Sequence, residues 1–276
     1  MDTATKKTLA EKALAIRLGT LEAVHAASSG HPGGSLSIAE ILSYLFFKEM
    51  RIDPKNPKWE DRDRFVLSKG HTAPALYATL ANRGYFDTAL LKTFRQADSF
   101  LQGHPDMKHT PGVDMTTGSL GLGFSAACGM ALSGKISDKD YRVYAVLGDG
   151  EVEEGQVWEA AMFAAHYKLD NLCIFVDFNG LQIDGAIVDV IDPTPIDKKF
   201  EAFNWNVVCI DGHDFDAIEK AVESAKACKG KPTAVICTCT KGKGVSFMEN
   251  KCGWHGKAPS DEEYAQAVAE LTSANK

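Results

Sequence analysis

The stretch Val146–Gly185, VLGDGEVEEGQVWEAAMFAAHYKLDNLCIFVDFNGLQIDG, decides the fold. A first apolar run closes in Gly148-Asp149-Gly150, and a second, LCIFVD, is followed by Asn179-Gly180. Between them QVWEAAMFAAHYK reads as a helix. Strand, helix and strand of this length make a βαβ unit. Asp149 and Asn179 stand 30 residues apart, the length of one such unit. If the two strands are neighbours, both oxygen-bearing side chains emerge on the same carboxyl edge, where parallel sheets bind ligands.

The rhythm extends on both sides. RFVLS (64–68) and RVYAVL (142–147) read as strands, as do WNVVCI (205–210) and TAVICTCT (233–240), with helices at 197–203 and 215–227 between the later ones. Apolar strands alternating with helices predict an α/β fold, a doubly wound parallel sheet covered on both faces. Further helices are expected over 5–28, 73–82 and 119–133. Ser37–Glu40 has the capping-box pattern and is read as opening a helix through Phe46; Ser260–Glu263 repeats it before the last helix. Residues 99–118, rich in Gly and Pro, form a long loop of the kind that is functional or mobile. Without an internal repeat, residues 1–276 are expected to form a single domain with peripheral terminal helices.

A formal net charge of -7 argues against nucleic acid as a partner. No apolar run approaches the ~20 residues of a membrane span, and the first residues lack a signal-peptide pattern, so no membrane partner and a cytoplasmic location are expected. The seven cysteines are scattered without zinc spacing and are read as reduced thiols in a core. Cys237 and Cys239, on one apparent strand, are assigned to opposite faces.

A carboxylate, an amide oxygen and a nearby backbone carbonyl are hard donors that suit Mg²⁺ or Ca²⁺. Magnesium held this way completes its shell with phosphate oxygens and water. The glycines around Asp149 let backbone approach phosphates, and the following helix start favours an anion. Four histidines sit in Gly-rich contexts: His31, His71, His104 and His255. Glu151 and Glu153 are read as a solvated helix start favoured by the helix dipole, Trp158 as packing, and His25, His109, His166 and His213 as structural.

Gly-Asp-Gly, some thirty residues, then Asn at a strand end is the signature of thiamine diphosphate enzymes. The blocks GHPGGSLS, FVLSKGHTAPALYA, GHPDMKHTPGVDMTTGSLGLG, GDGEVEEGQVWEA, NGLQIDG and WHGKAPSDEEY run in order from residue 30 to residue 264, and here the chain resembles transketolase. The resemblance implies a thiamine diphosphate PP-type domain with Mg²⁺ (or Ca²⁺) held by Asp149, Asn179 and the Leu181 carbonyl. It implies that Gly148, Gly150 and His71 meet the diphosphate with Lys69 and Lys241 close by. Gly118 and Leu120 would approach the cofactor rings. His31, His104 and His255 would line the channel to the reactive carbon and move protons, which suits imidazole near neutral pH. Glu154 and Glu159 would belong to an acidic network linking cofactor sites between subunits. Leu122 stands where many relatives carry Gln and is expected to alter packing beside the cofactor.

A complete transketolase resembles this chain plus two further domains, one of which supplies the glutamate that activates the cofactor. The acidic residues here match only the first domain. The resemblance therefore implies the N-terminal subunit of a split enzyme, paired with a C-terminal transketolase subunit, in an α2β2 heterotetramer, acting on sugar phosphates. It leaves the sugars open, and pentose phosphate metabolism and a specialised sugar catabolism equally so. Alternatives are the α subunit of a 2-oxoacid dehydrogenase-like enzyme, or a non-catalytic cofactor-binding module. A nicotinamide dehydrogenase is disfavoured, since the strand turn lacks a G-x-G-x-x-G loop.

Overall fold

The βαβ unit forms as its pattern predicts. In the structure, a computed structural model that describes residues 1–273, β2 (Val143–Gly148) and β3 (Leu172–Phe178) run parallel, with Gly148 opposite Asp177. Residues 274–276, the end of the expected 1–276 domain, lie outside the described residues. With β1 (Arg64–Leu67), β4 (Asn206–Asp211) and β5 (Thr233–Thr238), the strands form one parallel five-stranded sheet in the order β1-β2-β3-β5-β4. The helices are α1 (Thr3–Ala26), α2 (Pro32–Leu36), α3 (Ala39–Tyr44), α4 (Ala73–Arg83), α5 (Leu122–Ile136), α6 (Gly155–His166), α7 (Ile187–Val190), α8 (Ile196–Ala202), α9 (Phe215–Ala227) and α10 (Asp261–Ser273).

Successive strand side chains point to opposite faces, and both faces are covered. Tyr144, Val146, Cys173, Phe175 and Val235 pack with residues of α1, α3, α4 and α9. Ala145, Leu147, Ile174, Val176 and Ile236 pack with residues of α5, α6 and α8. The sheet is thus doubly wound, and apolar on both sides because neither meets water. A third cluster, including Leu21, Leu36, Met248, Trp254 and Leu271, ties α1, α2 and α10 to the loop after β5. Among the described residues no helix is long and apolar enough to cross a membrane.

Three sequence expectations change. Cys237 and Cys239 lie in the same apolar cluster, as residues two apart on an extended chain must. Cys128, Cys173, Cys237 and Cys239 are buried thiols, but Cys209 is exposed because β4 is an edge strand, and Cys228 and Cys252 are partly exposed. Ser37 caps no helix. Its hydroxyl donates to the Asp177 carboxylate at 2.6 Å and lies 3.0 Å from the Gly34 carbonyl, while Glu40 pairs with Arg17 and His213. Ser260–Glu263 does form a capping box, each side chain accepting from the other's backbone N–H at 3.2 and 2.9 Å.

Residues 99–118 form no helix or strand, but the loop is anchored: the buried Tyr77 hydroxyl lies 2.9 Å from the carbonyls of both Gln102 and His104.

Candidate active site

The carboxyl ends of β1, β2 and β3 open into a cavity of about 260 Å³. Its lining includes Lys69, His71, Gly118, Leu120, Gly148, Asp149, Gly150, Asn179, Leu181, Lys241, His31 and His255, so twelve of the sequence-predicted site residues meet at one place. His104 is at its margin: its ring lies 3.1 Å from where a side chain on Gly118 would start. Gly118 has φ 148°, a backbone conformation that disfavours a side chain, and one added there would crowd the His104 ring. Glu154 and Glu159 are exposed and lie outside the cavity, and Glu159 lines a shallow groove between α5 and α6 with Ser125 and Phe163. Leu122, 46% exposed at the start of α5, does not line the cavity, so its expected effect beside the cofactor is not seen within this chain.

Oxygens and ammonium groups meet in the cavity. Asp149 accepts from the Gly150 N–H at 2.9 Å and the Gly180 N–H at 2.6 Å. The Asn179 amide oxygen accepts from Leu181 N–H at 3.2 Å, and the Leu181 carbonyl accepts from the Lys241 ammonium at 2.9 Å. Burial, and then the Asp177 charge, push the Asp149 carboxyl up to about 6. The carboxylate, the amide oxygen and the carbonyl are the donor set that Mg²⁺ or Ca²⁺ takes, so the residues present fit a hard divalent ion. Among the described residues no group of three His, Cys, Asp or Glu side chains could hold a metal; here two of the three donors would be an amide and a backbone carbonyl. Lys69 and Lys241, 1% and 2% exposed, bring positive charge that suits a diphosphate. Burial, and then the Lys69 charge, lower Lys241 to about 8.

Beside these groups three imidazoles cluster. Ring centroids of His31, His71 and His255 are separated by 5.1 to 5.4 Å. Burial is the main cause that lowers all three, with help from nearby positive charge: His31 to about 4, His255 to about 3, His71 well below the usual range. Each is therefore neutral near pH 7, with one nitrogen to donate and one to accept. For His255 the tautomer follows from geometry. Lys241 Nζ lies 3.1 Å from its Nδ1. An ammonium only donates, so Nδ1 accepts and Nε2 carries the hydrogen. The Nδ1 of His31 is buried and, among the described residues, has no hydrogen-bond partner.

Two carboxylates at this site escaped the sequence reading. Glu151 is not a solvated helix start. It is 2% exposed and accepts from the Ser68 hydroxyl, the Gly121 N–H and the Gly148 N–H. A short 3₁₀ turn, Glu151–Glu153, precedes α6 and turns Glu151 inward. Asp177 is fully buried at the end of β3, where it binds Ser37, Lys69 and Asn179. Burial alone would raise its carboxyl, but the Lys69 charge and these hydrogen bonds hold it below the usual range. Glu153 bonds to Gln182 across the cavity mouth, and Trp158 packs on Phe200 and Phe203 as read from the sequence.

The chain matches the family model described as transketolase, thiamine diphosphate binding domain, over residues 8–274. It is 50% identical to a 6-deoxy-6-sulfo-D-fructose transketolase subunit from Clostridium sp., covering 95% of this chain and 96% of that protein. It is 41% identical to an apulose-4-phosphate transketolase subunit from Phocaeicola vulgatus, over 91% of this chain and 89% of that one. Against human transketolase it is 44% identical but spans 42% of the longer protein. Its fold superposes on transketolase from Leishmania mexicana with a TM-score of 0.90 and 33% identity, covering 96% of this chain and 41% of that one.

Proposed function

Because the chain belongs to the transketolase family, as its N-terminal thiamine diphosphate binding domain, we propose that it is the diphosphate-binding subunit of a two-chain transketolase. With a C-terminal subunit, it transfers a two-carbon ketol unit from a ketose phosphate or related donor to an aldose phosphate. The observation that carries this is the single cavity in which hard oxygen donors, two buried lysines and three neutral histidines meet at the sheet's carboxyl edge. Alignment along 96% and 89% of relatives named as subunits supports a separate partner chain, and we assign an α2β2 assembly, residues 1–276 acting as one domain, and a cytoplasmic location on the same reading.

In this reading Asp149, Asn179 and the Leu181 carbonyl hold Mg²⁺. Gly148, Gly150 and His71 meet the diphosphate, with Lys69 and Lys241 balancing its charge, and Gly118 and Leu120 border the rings. When bound, thiamine diphosphate supplies an electron sink for cleaving and forming carbon–carbon bonds beside a carbonyl. The protein's part is to hold protons and orient hydroxyls. His255, with hydrogen on Nε2, donates to a substrate oxygen; His31, which lines the cavity, orients a substrate hydroxyl; His104, at the margin, meets the substrate as it enters. Burial keeps all of them neutral, so each has one ring nitrogen to donate a hydrogen bond and one to accept. Glu154 and Glu159, both exposed, belong in this reading to an acidic network that links cofactor sites between subunits.

The test is co-purification with a candidate C-terminal subunit, followed by assay against a panel of donors. The panel includes the pentose phosphate sugars, and also 6-deoxy-6-sulfo-D-fructose and apulose 4-phosphate, which the names of the two subunit relatives point to. The expected result is no ketol transfer by the purified chain and transfer by the pair; full turnover by the chain alone would overturn the two-chain reading.

A further inference from the structure

Asp177 stands two residues before Asn179 and is 0% exposed. Its Oδ2 accepts from the Ser37 hydroxyl at 2.6 Å, from Asn179 Nδ2 at 2.9 Å and from the Lys69 ammonium, which also donates to the Gly34 carbonyl at 2.9 Å. So buried a carboxylate persists only when paired and hydrogen-bonded. The consequence for Asn179 is specific. The two ends of an amide have nearly the same shape, and only hydrogen bonding decides which points where. An ionised carboxylate accepts and never donates, so Asp177 takes the Asn179 nitrogen. The Asn179 oxygen then faces the other way, where it meets the Leu181 N–H at 3.2 Å. Turned over, the amide would set oxygen against oxygen. A divalent cation accepts only the oxygen.

We propose that Asp177 is a positioning residue: it fixes the Asn179 amide so that oxygen, not nitrogen, is presented to the cation. This rests on the reading that Asn179 is a metal ligand. The Ser37 hydroxyl, just after α2, completes the contacts of Asp177, and the Gly34 carbonyl within α2 completes those of Lys69.

The test is calorimetry of thiamine diphosphate binding to the full chain, co-purified with its partner, at stepped Mg²⁺ concentrations. Groups that orient a metal ligand typically account for ~10–100-fold in metal affinity. Asn179→Ala and Asp177→Ala are each expected to raise the Mg²⁺ needed for half-saturation within that range. Asp177→Asn, whose amide oxygen still accepts from Asn179, is expected to stay within about threefold of wild type. The double variant Asp177→Ala/Asn179→Ala is expected to be no worse than Asn179→Ala, because Asp177 acts through Asn179. Should Asp177→Ala fail to fold with Lys69 left unpaired, Lys69→Met/Asp177→Leu compared with Lys69→Met asks the same question, with at least tenfold expected between them. If Asn179→Ala binds as wild type does, the metal assignment itself falls and this role with it. If Asn179→Ala loses Mg²⁺ dependence while Asp177→Ala matches wild type, or the two effects add, only the positioning role is overturned.

Discussion

Glu151 joins three segments that must meet for the cavity to exist. One oxygen accepts from the Ser68 hydroxyl after β1 and the Gly121 N–H before α5; the other accepts from the Gly148 N–H at the end of β2. Glu151→Gln keeps the shape but turns one end from acceptor to donor. In either orientation a buried donor faces a donor, and such a mismatch costs about 1–3 kcal/mol. The urea midpoint is expected to fall accordingly; an unchanged midpoint would show that the three contacts do not hold the site together. Asp149 and Asn179 were legible because each ends an apolar run beside a glycine, and turn chemistry is local. Glu151 was not, because its partners Ser68 and Gly121 lie 83 and 30 residues away, and three nearby acids after a Gly look alike in sequence. Asp177 did carry a signal: a carboxylate inside the apolar run LCIFVD must be paired if that strand is buried.

Elements obey the same contrast between local and distant partners. The two S-x-x-E patterns are equivalent in sequence, yet only Ser260–Glu263 caps a helix. At Ser37–Glu40 stronger partners win: Ser37 goes to Asp177, and Glu40 takes both nitrogens of the Arg17 fork at 2.7 Å as well as His213 at 2.9 Å. His213 in turn accepts from the Thr240 N–H at 2.9 Å, so one chain of bonds links α1, α3, the end of β4 and the turn that carries Lys241. Burial alone would raise Glu40, but the Arg17 charge and the hydrogen bonds from His213 and Arg17 bring it down from 4.5 to about 2. A folded pKa below the unfolded one means stabilisation present above about pH 4.5 and lost as the pH falls toward 2. Glu40→Gln breaks a buried pair and is expected to cost ~3–5 kcal/mol at pH 7. In urea unfolding, the gap between wild type and variant is expected to narrow steadily below pH 4.5; a gap that stays constant down to pH 3 would contradict the depressed carboxyl.

At the scale of the whole molecule, the α/β class was written in the alternation of apolar strands and helices. The order β1-β2-β3-β5-β4 was not, since nothing local says that β5 slips between β3 and β4. That order makes β3 an inner strand, so its end brings Asp177 and Asn179 beside Asp149 on one flank while the turn after β5 brings Lys241 to the other. The site is thus assembled from segments far apart in the chain, and a ligand that bridges them is coupled to the global fold. A ligand that binds only the folded chain stabilises it by about 2.7 kcal/mol at a hundredfold excess over its Kd, which for a domain near this size is a rise of roughly 5–10 °C in Tm. On the proposed reading the rise is expected only when Mg²⁺ and thiamine diphosphate are present together, because Asp149 would hold the cation that neutralises the diphosphate. Asp149→Ala is expected to fold and to abolish the shift, as read by thermal unfolding with each component alone and with both. A full rise with thiamine diphosphate in the presence of a chelator, or one that survives in Asp149→Ala, would mean that the lysines alone hold the diphosphate and that the oxygens of β2 and β3 serve only to shape the turn.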